Sequence, residues 1–126
     1  MHKKILLGLL VFGLLTILFT ACGIRDINTS ALPTAHMGGA SFIQTTITIH
    51  KGDMLNLVDD APSPHTIVNG SWVNGVAKPA TESGAPTVNQ NFTGNDSAAI
   101  GPFNTASTFH LYCTIHQNMN LTVVVQ

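Results

Sequence analysis

The sequence predicts an all-β sandwich, and three observations carry that expectation. Apolar residues alternate with polar ones over short runs, at residues 45–49 and 109–113. A β-branched run, Leu121-Thr122-Val123-Val124-Val125, lies at the carboxyl end. Gly, Pro, Asn and Asp punctuate the intervals, and residues 41–126 carry no amphipathic helical period. Short strands bounded by turn residues, without a helix to cover a sheet, leave sheet-on-sheet packing as the way to bury the apolar faces.

The amino end reads as a targeting segment. His2, Lys3 and Lys4 give a positive start, and residues 5–21 are apolar apart from Gly8, Gly13, Thr16 and Thr20. That stretch is short for a stable membrane span and has the character of a secretory signal. It ends in Leu18-Phe19-Thr20-Ala21-Cys22-Gly23, which resembles a bacterial lipobox with Phe19 where Leu is usual. Residues 1–21 are therefore expected to be a lipoprotein signal peptide, cut before Cys22, which then carries the lipid. An uncleaved signal anchor is the alternative, and both place the protein outside the cytoplasm, held to the membrane. Residues 22–40 are small and polar, with Ser30, Pro33 and Gly38-Gly39, and read as a flexible tether.

The domain is expected over residues 41–126. Residues 45–49 place Ile47 and Ile49 on one face of a strand. Residues 54–58 are apolar in both phases, Met54 and Val58 against Leu55 and Leu57, and are expected to be buried on both sides. Asp59-Asp60-Ala61-Pro62 is a turn, after which His65 opens a strand over residues 65–68. Residues 70–101 are rich in Gly, Pro, Asn and Thr, with short strands expected near residues 87–92 and 98–100. In residues 109–113, Phe109, Leu111 and Cys113 share one face, and His110 and Tyr112 the other. A short loop follows, and residues 121–125 form the last strand.

Composition excludes several functions. The chain has five Lys and Arg against six Asp and Glu, a formal net charge of −1. Removing residues 1–21 takes away Lys3 and Lys4 and leaves about −3, with no basic surface to bind nucleic acid by counterion release. No phosphate-binding loop or paired catalytic carboxylate is evident, and the protein is not expected to be an enzyme. The remaining chain suffices for one domain with a modest core.

The chemistry is concentrated in Cys113-Thr114-Ile115-His116-Gln117-Asn118-Met119 and in Ser63-Pro64-His65. Two His, one Cys and one Met make the donor set of a blue-copper site, in which the thioether is a weak axial ligand. One tight loop between two strands supplies Cys113, His116 and Met119, and His65 arrives from a distant part of the chain. Gln117 is an alternative axial ligand, but it adjoins His116 and would have to double back. A Cys22–Cys113 disulfide would remove both the lipid site and the metal site. His36, His50 and His110 are assigned no metal, and His110 is expected to point away from the Cys113 face. Trp72 is expected to pack in the core or flank the site.

These residues resemble the cupredoxin family in its amicyanin- and plastocyanin-like branch. Cys-x2-His-x2-Met between two strands, with His65-Thr66 upstream, is most similar to the amicyanin pattern; plastocyanins and pseudoazurins usually place the Met two residues further on. Lys51-Gly52-Asp53 and Gly101-Pro102-Phe103 also match. The resemblance covers residues 41–126 and is weakest over 70–97. It implies two sheets in Greek-key order and one type 1 copper held by His65, Cys113, His116 and Met119. It further implies hydrogen bonding between the two ligand loops at Thr66 and Thr114, and backbone N–H groups near Cys113 that stabilise the thiolate. The implied function is a membrane-anchored, extracytoplasmic blue copper protein carrying single electrons between redox protein partners. Storage or delivery of copper is the alternative, and would favour an open site rich in Met and His. Met37 and Met54 lie in no ligand pattern.

Overall fold

The computed structural model describes residues 31–126. The signal segment, Cys22 and the first part of the expected tether lie outside the described residues. Nine strands follow in order: β1 (Thr34–Met37), β2 (Thr46–Ile49), β3 (Leu55–Asp59), β4 (His65–Val73), β5 (Val76–Pro79), β6 (Asn89–Phe92), β7 (Ser97–Ile100), β8 (Ser107–Cys113) and β9 (Asn120–Val125). Among the described residues there is no helix.

The strands form two sheets, one ordered β1-β3-β7 and the other β2-β9-β8-β4-β5, with β6 also paired to β4. The chain passes repeatedly between them: β2 lies in the larger sheet, β3 in the smaller, β4 to β6 in the larger, β7 in the smaller, and β8 and β9 in the larger. The result is the expected two-sheet Greek-key sandwich. β8 and β9 pair antiparallel over Ser107↔Val125 to Tyr112↔Asn120, and β2 runs parallel to β9.

Alternation decides which side chains enter the core. Phe109, Leu111 and Cys113 of β8, with Leu121, Val123 and Val125 of β9, face Leu55 and Leu57 of β3 in one buried cluster. Fully burying each large apolar side chain contributes about 1.5–3 kcal/mol. The Lys51-Gly52-Asp53 turn is tied to this cluster: the Gly52 N–H donates to the Phe103 carbonyl at 2.8 Å, and the Phe103 N–H donates to that of Asp53 at 2.9 Å.

Three expectations are corrected. The tether does not extend to residue 40, because Thr34–Met37 pairs in parallel with β3, with Ala35 and Met37 fully buried. β3 is wholly buried on one face only: Leu55, Leu57 and Asp59 are buried, while Asn56 and Val58 are half-buried. Asp59, expected in a turn, is the last residue of that strand and only 2% exposed. Residues 70–101 also hold β5, which was not anticipated.

Candidate metal centre

Register builds the site. In the pairing of β4 with β8, Ile67 stands opposite Cys113. His65, two residues before Ile67, is on the same face of β4 and so lies just beyond the end of β8. Past Cys113 the chain turns back at once: the Met119 N–H donates to the His116 carbonyl at 3.3 Å, and the Cys113 N–H donates to the Met119 carbonyl at 3.0 Å. Asn118 takes a left-handed conformation, φ 64°, a conformation Asn tolerates better than most residues.

This folding gathers three donors at one end of the sandwich. Cys113 Sγ lies 3.7 Å from His65 Nδ1 and 3.6 Å from His116 Nδ1, and the donor atoms of the three residues all lie within 4.8 Å of one another. The two imidazole rings are 4.8 Å apart between centroids. Three bonds of about 2.0 Å to nitrogen and 2.3 Å to sulphur, usual for zinc, at trigonal angles put nitrogen and sulphur about 3.7 Å apart. The two sulphur–nitrogen separations therefore match those around a first-row metal ion. Cys113 and His65 are fully buried, and His116 is half-buried with its Nε2 3.4 Å from Ser63 Oγ.

The surroundings fix His65 in the form a metal requires. Its Nε2 lies 2.9 Å from the Gly38 carbonyl oxygen, which can only accept. Nε2 therefore carries the proton, and Nδ1 turns its lone pair towards Cys113. Burial, the largest influence, pushes the His65 pKa below its ordinary value, opposed chiefly by the Asp59 carboxylate. Asp59 Oδ1 is 3.7 Å from His65 Nε2 and accepts the Ala61 N–H at 3.1 Å; Asp59 Oδ2 is buried without a hydrogen-bond partner.

Met119 is 2% exposed and belongs to the buried cluster that contains Cys113. Gln117, the alternative axial donor, is engaged elsewhere, since its Nε2 donates to the Gly75 carbonyl at 3.0 Å. Thr66 and Thr114 do connect the ligand segments, but through the backbone: the Thr114 N–H donates to the Thr66 carbonyl at 2.9 Å. The Thr66 hydroxyl donates instead to Asn91 Oδ1 at 2.9 Å, and Thr114 is exposed. The N–H groups of Cys113 and Thr114 are thus engaged by carbonyls rather than by the sulphur. The other described histidines lie apart from the three donors. His36 Nδ1 is 2.7 Å from Asp60 Oδ2, His110 Nδ1 is 2.6 Å from Glu82 Oε1, and the His50 side chain is 84% exposed.

Sequence reasoning missed Gly38, whose carbonyl has no local signature, and the burial of Asp59. It placed Trp72 only loosely. The Trp72 indole N–H donates to the Cys113 carbonyl at 2.8 Å, and its ring meets Tyr112 edge-on. The signal that would have located it is Val73-Asn74-Gly75-Val76, because Asn-Gly between apolar residues marks a tight hairpin.

No family model and no curated protein matches the sequence. Solved structures do match the fold. Amicyanin from Paracoccus versutus is 22% identical, with 80% of this chain and 86% of that one covered at a TM-score of 0.58. A purple cupredoxin from Nitrosopumilus maritimus is 16% identical over 75% of this chain and 99% of its own, also at 0.58. The reduced Cu(I) form of an amicyanin variant at pH 4 is 14% identical, covering 76% and 83%, again at 0.58. The chain therefore has the cupredoxin fold, and a cluster of two His and one Cys that could hold a metal sits at one end of it.

Proposed function

We propose that this protein is an electron carrier that binds one copper ion through His65, Cys113 and His116, with Met119 as axial ligand. The observation that carries the proposal is the Cys113 sulphur lying 3.6 and 3.7 Å from two imidazole Nδ1 atoms at the end of a cupredoxin sandwich. A copper ion bound there would supply a one-electron couple, with a thiolate that favours strong metal–sulphur covalency. The chain's own residues do the rest. Gly38 holds His65 in the ligating tautomer, the core excludes water from Cys113, and half-buried His116 gives a path to the surface. The burial of His65 and Cys113 favours a carrier that keeps its ion over a protein that stores or delivers copper.

We further propose export and lipid anchoring at Cys22, outside the cytoplasm, which the signal-like residues 1–21 support. Metal analysis and a visible spectrum of the purified protein test the copper reading. One copper per chain and an intense thiolate-to-copper absorption band are expected. A Cys113→Ser variant that kept the band would refute the assignment.

A further inference from the structure

The segment joining His65 to the second half of β4 reaches the ligand loop a second time. β4 leaves β8 after Asn69, at Gly70. Gly70 has φ 122°, and a Cβ there would overlap the Lys78 carbonyl oxygen, so only glycine allows this bend with β5 packed against it. Trp72 and Val73 then pair with Ala77 and Val76 across Asn74 and Gly75, both with positive φ. Such a turn matches the strand twist, so β4 and β5 form a well-defined hairpin arm.

Four hydrogen bonds run from this arm to the loop that carries Cys113, His116 and Met119. Trp72 Nε1 donates to the Cys113 carbonyl at 2.8 Å, at the loop's start. At its end, Asn120 makes a reciprocal pair with the Trp72 backbone: the Trp72 N–H donates to Asn120 Oδ1 at 2.7 Å, and Asn120 Nδ2 donates to the Trp72 carbonyl at 3.0 Å. Between them, Gln117 Nε2 donates to the Gly75 carbonyl at 3.0 Å. Both ends and the middle of the loop are held by one arm, continuous in the chain with the strand that carries His65.

We infer that the β4–β5 hairpin is a clamp that holds the ligand loop in its metal-binding shape before any metal arrives, with Asn120, Gln117 and Trp72 as positioning residues. Asn120 directly follows Met119 and therefore fixes where the chain delivers the axial thioether. None of the three ligates, and each acts through the loop backbone. The consequence for copper rests on the proposed function: a loop that cannot relax keeps one geometry in both oxidation states. The clamp itself does not depend on that reading, because its bonds join protein groups only.

Amide hydrogen exchange on the metal-free, full-length protein tests it. Wild type is compared with Asn120→Ala, which removes the reciprocal pair, and with Gln117→Ala, which alters an exposed side chain and leaves the core untouched. Protection of residues 114–119 should fall about tenfold or more in Asn120→Ala and severalfold in Gln117→Ala, with β3 and β9 unchanged. In copper-loaded protein the same variants should alter the ratio of the thiolate-to-copper bands. Unchanged protection in both variants, or a loss spread evenly over all strands, would overturn the clamp. Wild-type protein that took up no copper would refute the electron-carrier reading, while the exchange data would still decide on the clamp.

Discussion

The Gly38 carbonyl oxygen lies 2.9 Å from Nε2 of His65, 27 residues further along the chain. This bond joins a stretch expected to be a loose tether to the most buried histidine of the described residues. A neutral imidazole has one N–H and one lone pair, so engaging Nε2 as the donor leaves Nδ1 to ligate. The position of Gly38 depends in turn on β1, which lays Thr34–Met37 along β3 and so brings the next residue to the end of the sandwich.

The axial position is tested by Met119→Leu. Leucine keeps the volume, so the buried cluster should hold and the cost in stability should stay below about 1.5 kcal/mol. Copper and the thiolate band should be retained. Loss of a donor in a dry site favours the less charged Cu(I), so the reduction potential should rise, by about 60 mV for each tenfold change in relative affinity for the two states. Cyclic voltammetry checks this; an unchanged potential would remove Met119 from the ligand set.

Asp59 should tune the same couple. Its carboxylate is buried 3.7 Å from the Nε2 of His65 and favours positive charge at the centre. Asp59→Asn should raise the potential, by at most about 120 mV for a unit charge some 6 Å from the ion at an effective dielectric of about 20. Asp60→Asn, at an exposed site already paired with His36, should change it far less. Equal shifts in the two variants would show that Asp59 acts only through general surface charge.

Membrane attachment is expected to depend on Cys22. Cells expressing Cys22→Ser should release the protein into the soluble extracytoplasmic fraction, whereas wild type should fractionate with membranes. A single acyl chain binds only marginally, so the wild-type mass should show several. Equally firm attachment of the variant would favour an uncleaved signal anchor.

Docking should be neutral. No Asp, Glu, Lys or Arg follows Asp96, and Ile115 in the ligand loop is 51% exposed. Val73 and Val76, 47% and 53% exposed, lie on the hairpin that bonds to this loop. Of the acidic pair near His65, Asp59 is buried and Asp60 is bonded to His36, which weakens the acidic rim their sequence suggests. Redox encounters use small, short-lived contacts, and without local charge their rate should depend little on salt. Stopped-flow electron transfer to a cationic acceptor, from low to high ionic strength, measures this. A steep fall in rate would instead assign docking to the acidic turn.

The sequence by itself determined the elements whose signals are local. Alternation at Phe109, Leu111 and Cys113 and the β-branched run to Val125 marked β8 and β9, because period-2 burial is written into consecutive residues. The grouping of Cys113, His116 and Met119 was legible because one turn spans them. Tertiary structure alone decided the rest. Thr34–Met37 has little strand character and becomes β1 through parallel pairing with β3, a contact no local pattern encodes. Asp59 is buried because β3 carries its inward phase one residue beyond the apolar run. The hold of Trp72 on Cys113 required the bend at Gly70 and the close approach of β5. β1 is placed by β3 and Trp72 by the Cys113 carbonyl 41 residues away, and in both the partner's backbone groups carry no residue-type signal.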